Sequence, residues 1–434
     1  MFAPLLSSLR PREKVSFKLH LVYSVLEGFC LGVIALNEFV FVKSLQGSAV
    51  QLGFLFQFSM LVFLFLVLFN EFLRRIPNKR LLLRYTVLIS RLPLFILLFF
   101  PHHQESDIVS GLWHSLFLAL FFLYYLGSPI LFPSVNLLLR QNYSVNNFGK
   151  LYGFATSVNK VVMLIVTFLY GLLLDYDRNA FTYILPFVSV FGVVSGFVLS
   201  RVPYAPVLES LKPDGICVSV RKSLDNMLSV LKHNVAYRHF EIGFMLYGFA
   251  FMSTTTVIVL FFSDGLQMNY SGIAFYKNVY NIGAILLLPV AGNWIGILRP
   301  RRFSVIAYAS LALYLLSLIL TLSFPYYFSF LGIDIYWFLI PYLLFHSVFA
   351  ATMPILWNIG SSYFSGDQNV GLYQEIHLSL TGFRALFSPL IGIWLYLVFG
   401  FAITFAIGIL VLLIAIAFMI WSYQNQRLPD QIDL

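Results

Sequence analysis

Charge is what this sequence has least of: Asp, Glu, Lys and Arg make up 10% of its 434 residues, whereas 60% are hydrophobic. The apolar residues gather in long runs between short basic patches, and such runs cross a hydrocarbon core of roughly 30 Å as helices. A closed transmembrane barrel would alternate polar and apolar residues in pieces of about ten. Runs such as 401–419 do not alternate, which excludes it. The two cysteines, Cys30 and Cys217, exclude a disulfide framework and a cysteine metal site. No Walker motif, HExxH, Gly-x-Ser-x-Gly or dense carboxylate-histidine cluster occurs. Nucleotide-driven work, metal or other cofactor chemistry and enzymatic hydrolysis therefore have no carrier. Residues 1–19 lack the small-residue pattern of a cleavable signal, so the first apolar run is expected to be a spanning helix.

What is abundant agrees with lipid. Phe (47) and Tyr (25) suit lipid-facing bulk and interfacial anchoring, and glycine and proline lie largely within the apolar runs. The net charge of +9 is dispersed over short loops, a pattern set by topology and anionic lipid rather than by nucleic acid. Apolar spans are expected at 20–42, 50–73, 81–100, 109–138, 149–174, 181–200, 237–262, 271–298, 303–324, 333–361, 370–398 and 401–422. The termini and even-numbered loops hold twenty Lys and Arg, among them Arg10, Arg12, Arg140, Arg221 and Arg427, against Lys43 and Arg178 in the odd ones. By the positive-inside rule both termini are cytoplasmic, and the chain is placed in the cell (inner) membrane. The fold class expected is an all-α polytopic membrane protein of twelve transmembrane helices in two six-helix bundles, working as a monomer among membrane lipids.

The longest polar break, 201–236, carries Pro203, Pro206, Pro213 and Gly215 and reads as a cytoplasmic linker between bundles 1–200 and 237–434. Val218 to Val235 suits either a surface amphipathic helix or a plain connector. The halves echo one another. Pro133 to Tyr152 matches Pro354 to Tyr373 at a shift of 221, and Pro77-Asn78-Lys79-Arg80 corresponds to Pro300-Arg301-Arg302 at 222 to 223. Two similar bundles can rock about a central site, which is machinery for moving a solute.

In span number, central linker and basic loops after spans 2 and 8, the chain resembles the major facilitator superfamily of secondary transporters. That family carries a Gly-x-x-x-Asp-Arg-x-Gly-Arg-Arg type motif in those loops, which helps lock the inward-closed state. Here they read Asn70-Glu71-Phe72-Leu73-Arg74-Arg75-Ile76-Pro77-Asn78-Lys79-Arg80 and Gly292-Asn293-Trp294-Ile295-Gly296-Ile297-Leu298-Arg299-Pro300-Arg301-Arg302. The basic ends are kept and the aspartate is absent from both. The resemblance implies conformational gating by Arg74, Arg75, Lys79, Arg80, Arg299, Arg301 and Arg302. It also implies a cavity lined by spans 1, 4, 7 and 10 and flanked by 2, 5, 8 and 11.

An ionisable group within a span is costly and marks function by default. Lys160 in span 5 and Arg384 in span 11 each lie about halfway through, and the repeat aligns Lys160 with Thr381, one turn before Arg384. Facing cations suit an anionic or zwitterionic small-molecule solute, since Arg binds a carboxylate or phosphate bidentately. The competing role for each is an internal pair, for Arg384 with Glu375 or a span-1 carboxylate. Asn136, Trp357 and Asn358, near the repeated prolines, are further solute contacts. Proton coupling falls to Glu27, His346 and Glu375. Glu241 reads as solvated, His377 as exposed and passive, and Arg91 as snorkelling or paired. The function expected is secondary active transport by alternating access, with or without proton coupling. The alternative is a non-pumping protein of transporter ancestry, a lipid scramblase or accessory scaffold.

Overall fold

The computed structural model describes residues 9–65, 76, 78–102, 111–204, 216–365 and 370–425. Almost all of it is helix, as an apolar chain in lipid requires, because a helix satisfies its own backbone hydrogen bonds. The helices are α1 (Pro11–Ile34), α2 (Asn37–Phe39), α3 (Ala49–Leu61), α4 (Lys79–Arg91), α5 (Gly111–Leu126), α6 (Ser128–Asn142), α7 (Val145–Tyr176), α8 (Phe181–Ser200), α9 (Ile216–His233), α10 (Val235–Leu260), α11 (Tyr270–Ser323), α12 (Leu339–Ile359), α13 (Val370–Ala385) and α14 (Ser388–Asn425). Nine stretches among the described residues are long and apolar enough to cross a membrane.

The expected twelve crossings are recovered from these nine. A straight helix of 54 residues, the length of α11, would run about 80 Å, far beyond one hydrocarbon core. It breaks at Arg299, whose φ of 61° and ψ of 158° are not helical, and Pro300 opens the next helix with the fixed φ that suits a first turn. The stretch Val370–Asn425 likewise turns at Gly400 (φ 77°, ψ −176°), a conformation glycine adopts without steric cost. The remaining crossing is the shorter apolar stretch Ala49–Phe65.

The described chain divides into two compact units, Met1–Gln51 with Leu68–Ile216 and Leu52–Val67 with Cys217–Leu434. In the first, α1 packs on α7 through small residues. A Cβ on Gly28 would lie 2.6 Å from the Asn159 carbonyl oxygen, and one on Gly32 would lie 2.7 Å from Val166 Cβ. Backbones this close are the usual device of helix pairs in lipid. In the second unit α14 approaches α10 the same way, Gly392 against the Ser253 backbone and Gly408 against Thr254. There Gln57 of α3 also donates to the Leu386 carbonyl, just beyond the end of α13.

Residues 333–338 were expected to begin span 10, but they fold otherwise. Tyr327–Phe330 and Ile333–Tyr336 form antiparallel strands β1 and β2, and α12 starts only at Leu339. Leu331 and Gly332 turn the hairpin with φ of 51° and 77°, the two-residue geometry that matches strand twist. The run of β-favouring aromatic and branched residues flanking that turn outweighs its hydrophobicity as a helix signal.

The shift of 221 reappears in backbone geometry. Val40–Ser44 and Phe261–Gly265 are both π-helical closing turns, followed by left-handed Gln46 (φ 53°) and Gln267 (φ 50°). Leu45 N–H bonds the Val40 carbonyl as Leu266 bonds Phe261, and Gly47 bonds Phe41 as Met268 bonds Phe262.

Candidate functional site

Each unit buries its own polar centre. In the first, α1 offers the Glu27 carboxylate at 8% exposure, and Arg91, the last residue of α4, meets it with Nη2 to Oε2 at 3.2 Å. Ser195 of α8 donates to Oε1 at 2.6 Å. The Arg91 guanidinium lies 4.9 Å from the centroid of the Tyr124 ring, and its stem fills the space that a side chain at Gly192 would take. Four helices, α1, α4, α5 and α8, therefore close on one ion pair. The expectation that Arg91 is snorkelling or paired resolves to pairing, and its partner is the carboxylate proposed as a proton carrier.

Lys160 projects from α7, half-buried, and among the described residues it makes no hydrogen bond or ion pair. Its neighbour Asn159 donates to the Ser24 carbonyl at 2.9 Å, fixing α7 against α1 and hence the register of Lys160. Asn136 lies in α6 with its side chain outside the described residues.

The second unit gathers more. Arg384 is 1% exposed, with Nη1 donating to the Phe244 carbonyl at 2.6 Å and Nε without a partner. Its guanidinium carbon stands 5.2 and 5.8 Å from the Phe244 and Tyr247 ring centroids. It occupies the space above Gly248, where a Cβ would sit 1.7 Å from that carbon. No described carboxylate lies within ion-pair distance, so the expected alternative pairing with Glu375 does not occur; Glu375 is half-buried on the same helix.

Two expectations are overturned here. His377 and Glu241, read as exposed and solvated, are 0% and 3% exposed, and His377 Nδ1 lies 3.0 Å from Glu241 Oε1. The cause is a seal below them. Asn234 bonds the Phe364 carbonyl (2.9 Å) and the Tyr373 hydroxyl (3.1 Å), Tyr237 donates to the Tyr373 carbonyl (2.6 Å), and the Phe240 ring covers His377. Apolar depth counted from the span ends misses this, because the turn Ser361–Phe364 sets the Phe364 ring against Tyr237 and Phe240, at 5.7 and 5.0 Å, behind the ring that covers His377. Trp357, half-buried, sets its ring edge to face with His377 at 5.5 Å. Asn358 is exposed and donates to its own helix at the Pro354 carbonyl.

His346 takes another environment on α12. It lies between the Tyr280 ring at 3.7 Å and the Tyr314 ring at 4.7 Å, nearly parallel to both, with Nδ1 2.9 Å from the Tyr342 hydroxyl.

Among the residues expected to gate, Arg74 and Arg75 lie outside the described residues. Lys79 opens α4, whose N-cap Asn78 accepts from Leu81 N–H, and Arg80 is exposed. Arg299 is the exposed break in α11. Arg301 is buried and donates to the Ser422 carbonyl at 2.8 Å, and Arg302 stacks 3.9 Å over Tyr423. These two bind the turn after the eighth span to the end of α14. Sequence reasoning also missed a pair of clamps at the shift of 221. Glu13 accepts from Ser144 N–H (2.8 Å), and its counterpart Asn234 bonds Phe364, next to the counterpart of Ser144. The shift itself, applied to polar residues outside the proline motifs, would have found them.

A profile of the Major Facilitator Superfamily matches residues 21–383. Among curated proteins, none matches the sequence. Several solved structures share the fold. The nucleoside transporter NupG, in a point-mutant form, superposes with a TM-score of 0.69 at 12% identity, covering 94% of this chain and 100% of that one. A D-xylose-proton symporter gives 0.66 at 14% identity, with 93% and 96% covered. The xylose transporter XylE from E. coli, partially occluded and inward open, gives 0.62 at 13%, with 96% and 100% covered. At these identities the likeness is one of fold.

Proposed function

This chain belongs to the Major Facilitator Superfamily, and on that premise we propose that it carries a small anionic or zwitterionic solute by alternating access between halves 1–200 and 237–434, with both termini on the cytoplasmic side. That it is a secondary transporter and not an enzyme follows from the family and the fold. The anionic character is supported by one observation: Lys160, a cation within a span, has no counter-charge among the described residues. A positive charge within a span costs about 2.5–3.5 kcal/mol on insertion scales, so Lys160, retained without neutralisation, points to a charge that arrives with the solute. Lys160 is the direct contact in this reading. Arg384, sealed beneath Phe244 and Tyr247, shapes the potential of the second unit. Asn136, Trp357 and Asn358 orient the solute without charge.

The test is uptake into proteoliposomes from a panel of labelled succinate, glutamate and glucose 6-phosphate, with glucose and uridine as neutral controls. Saturable entry of at least one charged compound, absent from protein-free vesicles, is expected. Entry of the neutral compounds alone would overturn the anionic assignment.

A further inference from the structure

The Glu241–His377 pair and Arg384 form one electrostatic cluster. His377 and Arg384 stand two turns apart on α13 and so share a face. The Phe244 ring touches both, with its centroid 4.3 Å from the imidazole centroid and 5.2 Å from the guanidinium carbon. The titratable and charged groups facing the pair are Tyr237 and Tyr247 from α10, Tyr308 from α11, and Tyr373 and Arg384 from α13. Trp357, Phe240 and Phe244 supply the rest of the wall. Of these groups only Glu241 and Arg384 carry full charge at neutral pH, and their charges cancel when His377 is neutral.

The hydrogen bonds say where a further proton would go. Nδ1 of His377 faces both carboxylate oxygens, at 3.0 and 3.2 Å, so it holds the hydrogen and donates it to Glu241. Nε2 is buried and has no partner. A buried ring nitrogen with a free lone pair is an unfilled acceptor, and a proton from water can occupy it without breaking the bond to Glu241. The cluster then carries one net positive charge in an apolar enclosure, which is unfavourable unless an anion arrives with it. The other candidates lack this property. The Glu27 carboxylate is neutralised by Arg91, and His346 is stacked between two rings with Nδ1 bonded to a hydroxyl.

We propose that Glu241 and His377 form the proton-binding site of this transporter, Nε2 taking the proton, and that the proton enters together with one negative charge of the solute, making the chain a proton–anion symporter. The coupling rests on the anion-carrier reading above. The proton site itself does not.

Two measurements separate them. The first needs no solute: ¹⁵N-histidine-labelled protein in phosphatidylcholine nanodiscs, with the imidazole resonances followed from pH 5 to 9. The protein has eight histidines, and His377→Gln identifies the signal that disappears. A His377 resonance that titrates, with a midpoint displaced by about one pH unit or more in Glu241→Gln, is the expected result. A resonance that never changes, or a midpoint indifferent to Glu241→Gln, overturns the site. The second uses vesicles filled with a pH-sensitive dye and the charged panel compounds added outside. Entry should acidify the lumen, and His377→Gln should lose that acidification at least tenfold while keeping solute counterflow, which also shows that the variant is folded. Entry without acidification overturns the symport and leaves the anion carrier standing. Failure of every panel anion to enter refutes the carrier reading and the symport built on it, while the resonance titration still decides whether the proton site exists.

Discussion

Replacing Arg91 with methionine removes the cation that neutralises Glu27, and the consequence can be worked from the structure. The carboxylate would keep only the Ser195 hydroxyl, at 2.6 Å, and at 8% exposure it cannot recruit solvent. Breaking a buried pair by deleting one partner costs about 3–5 kcal/mol. Glu27→Leu should cost a similar amount, because Arg91 Nε and Nη1 have no partners and Nη2 would lose its own, leaving the Tyr124 ring as the remaining attraction. The double variant behaves differently. Two apolar side chains of similar volume replace two desolvated charges, which is often neutral or stabilising. Methionine also keeps an unbranched stem beside Gly192, so packing survives. For a unit of about 200 residues, 3–5 kcal/mol corresponds to an apparent Tm loss on the order of 10 °C. A thiol-reactive dye reports it, since Cys30 is buried in the same unit and is exposed on unfolding. Both single variants should melt well below wild type and the double within about 3 °C of it. Single variants that melt like wild type, or a double variant showing the sum of both losses, would refute the argument that this pair is a mutually dependent buried clamp.

Other consequences follow from the same reasoning. Gly248→Ala places a methyl where the Arg384 guanidinium lies, so panel uptake and thermal stability should both fall, whereas Gly292→Ala, with nothing within 4 Å, should change neither. Asn234→Ala removes the cap on Tyr237 N–H and the bonds to Phe364 and Tyr373, and should lower stability by about 1–2 kcal/mol while raising solvent access to His377, read as faster hydrogen exchange of its ring. Cysteines placed at Ser8 and Asn425 should both react with an impermeant maleimide only from the cytoplasmic face, and labelling of either from outside would contradict the proposed orientation.

Fold and site were not equally legible in the sequence. The spans were, because sustained hydrophobicity leaves a chain in lipid no alternative to helix, and the basic loops bracketed them. The places where prediction slipped are those where composition does not decide geometry. Ile333 to Tyr336 lead without a break into the apolar run that follows, but the Leu331-Gly332 turn makes them a strand. Glu27 and Arg91 both fall within expected spans, yet nothing in a linear sequence says that α1 and α4 bring them within 3.2 Å. His377 was misread for a related reason. Its depth was measured along one helix, while its burial is produced by the Phe240 and Phe244 rings of α10 and the Trp357 ring of α12. The repeat carried further than expected in backbone, down to the paired left-handed glutamines Gln46 and Gln267. It did not carry charge: the counterpart of Glu27 is Gly248, the residue whose missing side chain makes room for Arg384.

The central claim is that an uncompensated cation within the membrane receives the solute's negative charge, and Lys160 tests it most directly. Initial uptake rates of the transported panel anion should be compared for wild type, Lys160→Arg and Lys160→Met at matched protein density. The account predicts at least a tenfold loss for methionine, equivalent to about 1.4 kcal/mol, with arginine within threefold of wild type and thermal stability of the methionine variant unchanged or higher, since Lys160 has no partner to lose among the described residues. Wild-type uptake of the anion by Lys160→Met would contradict it.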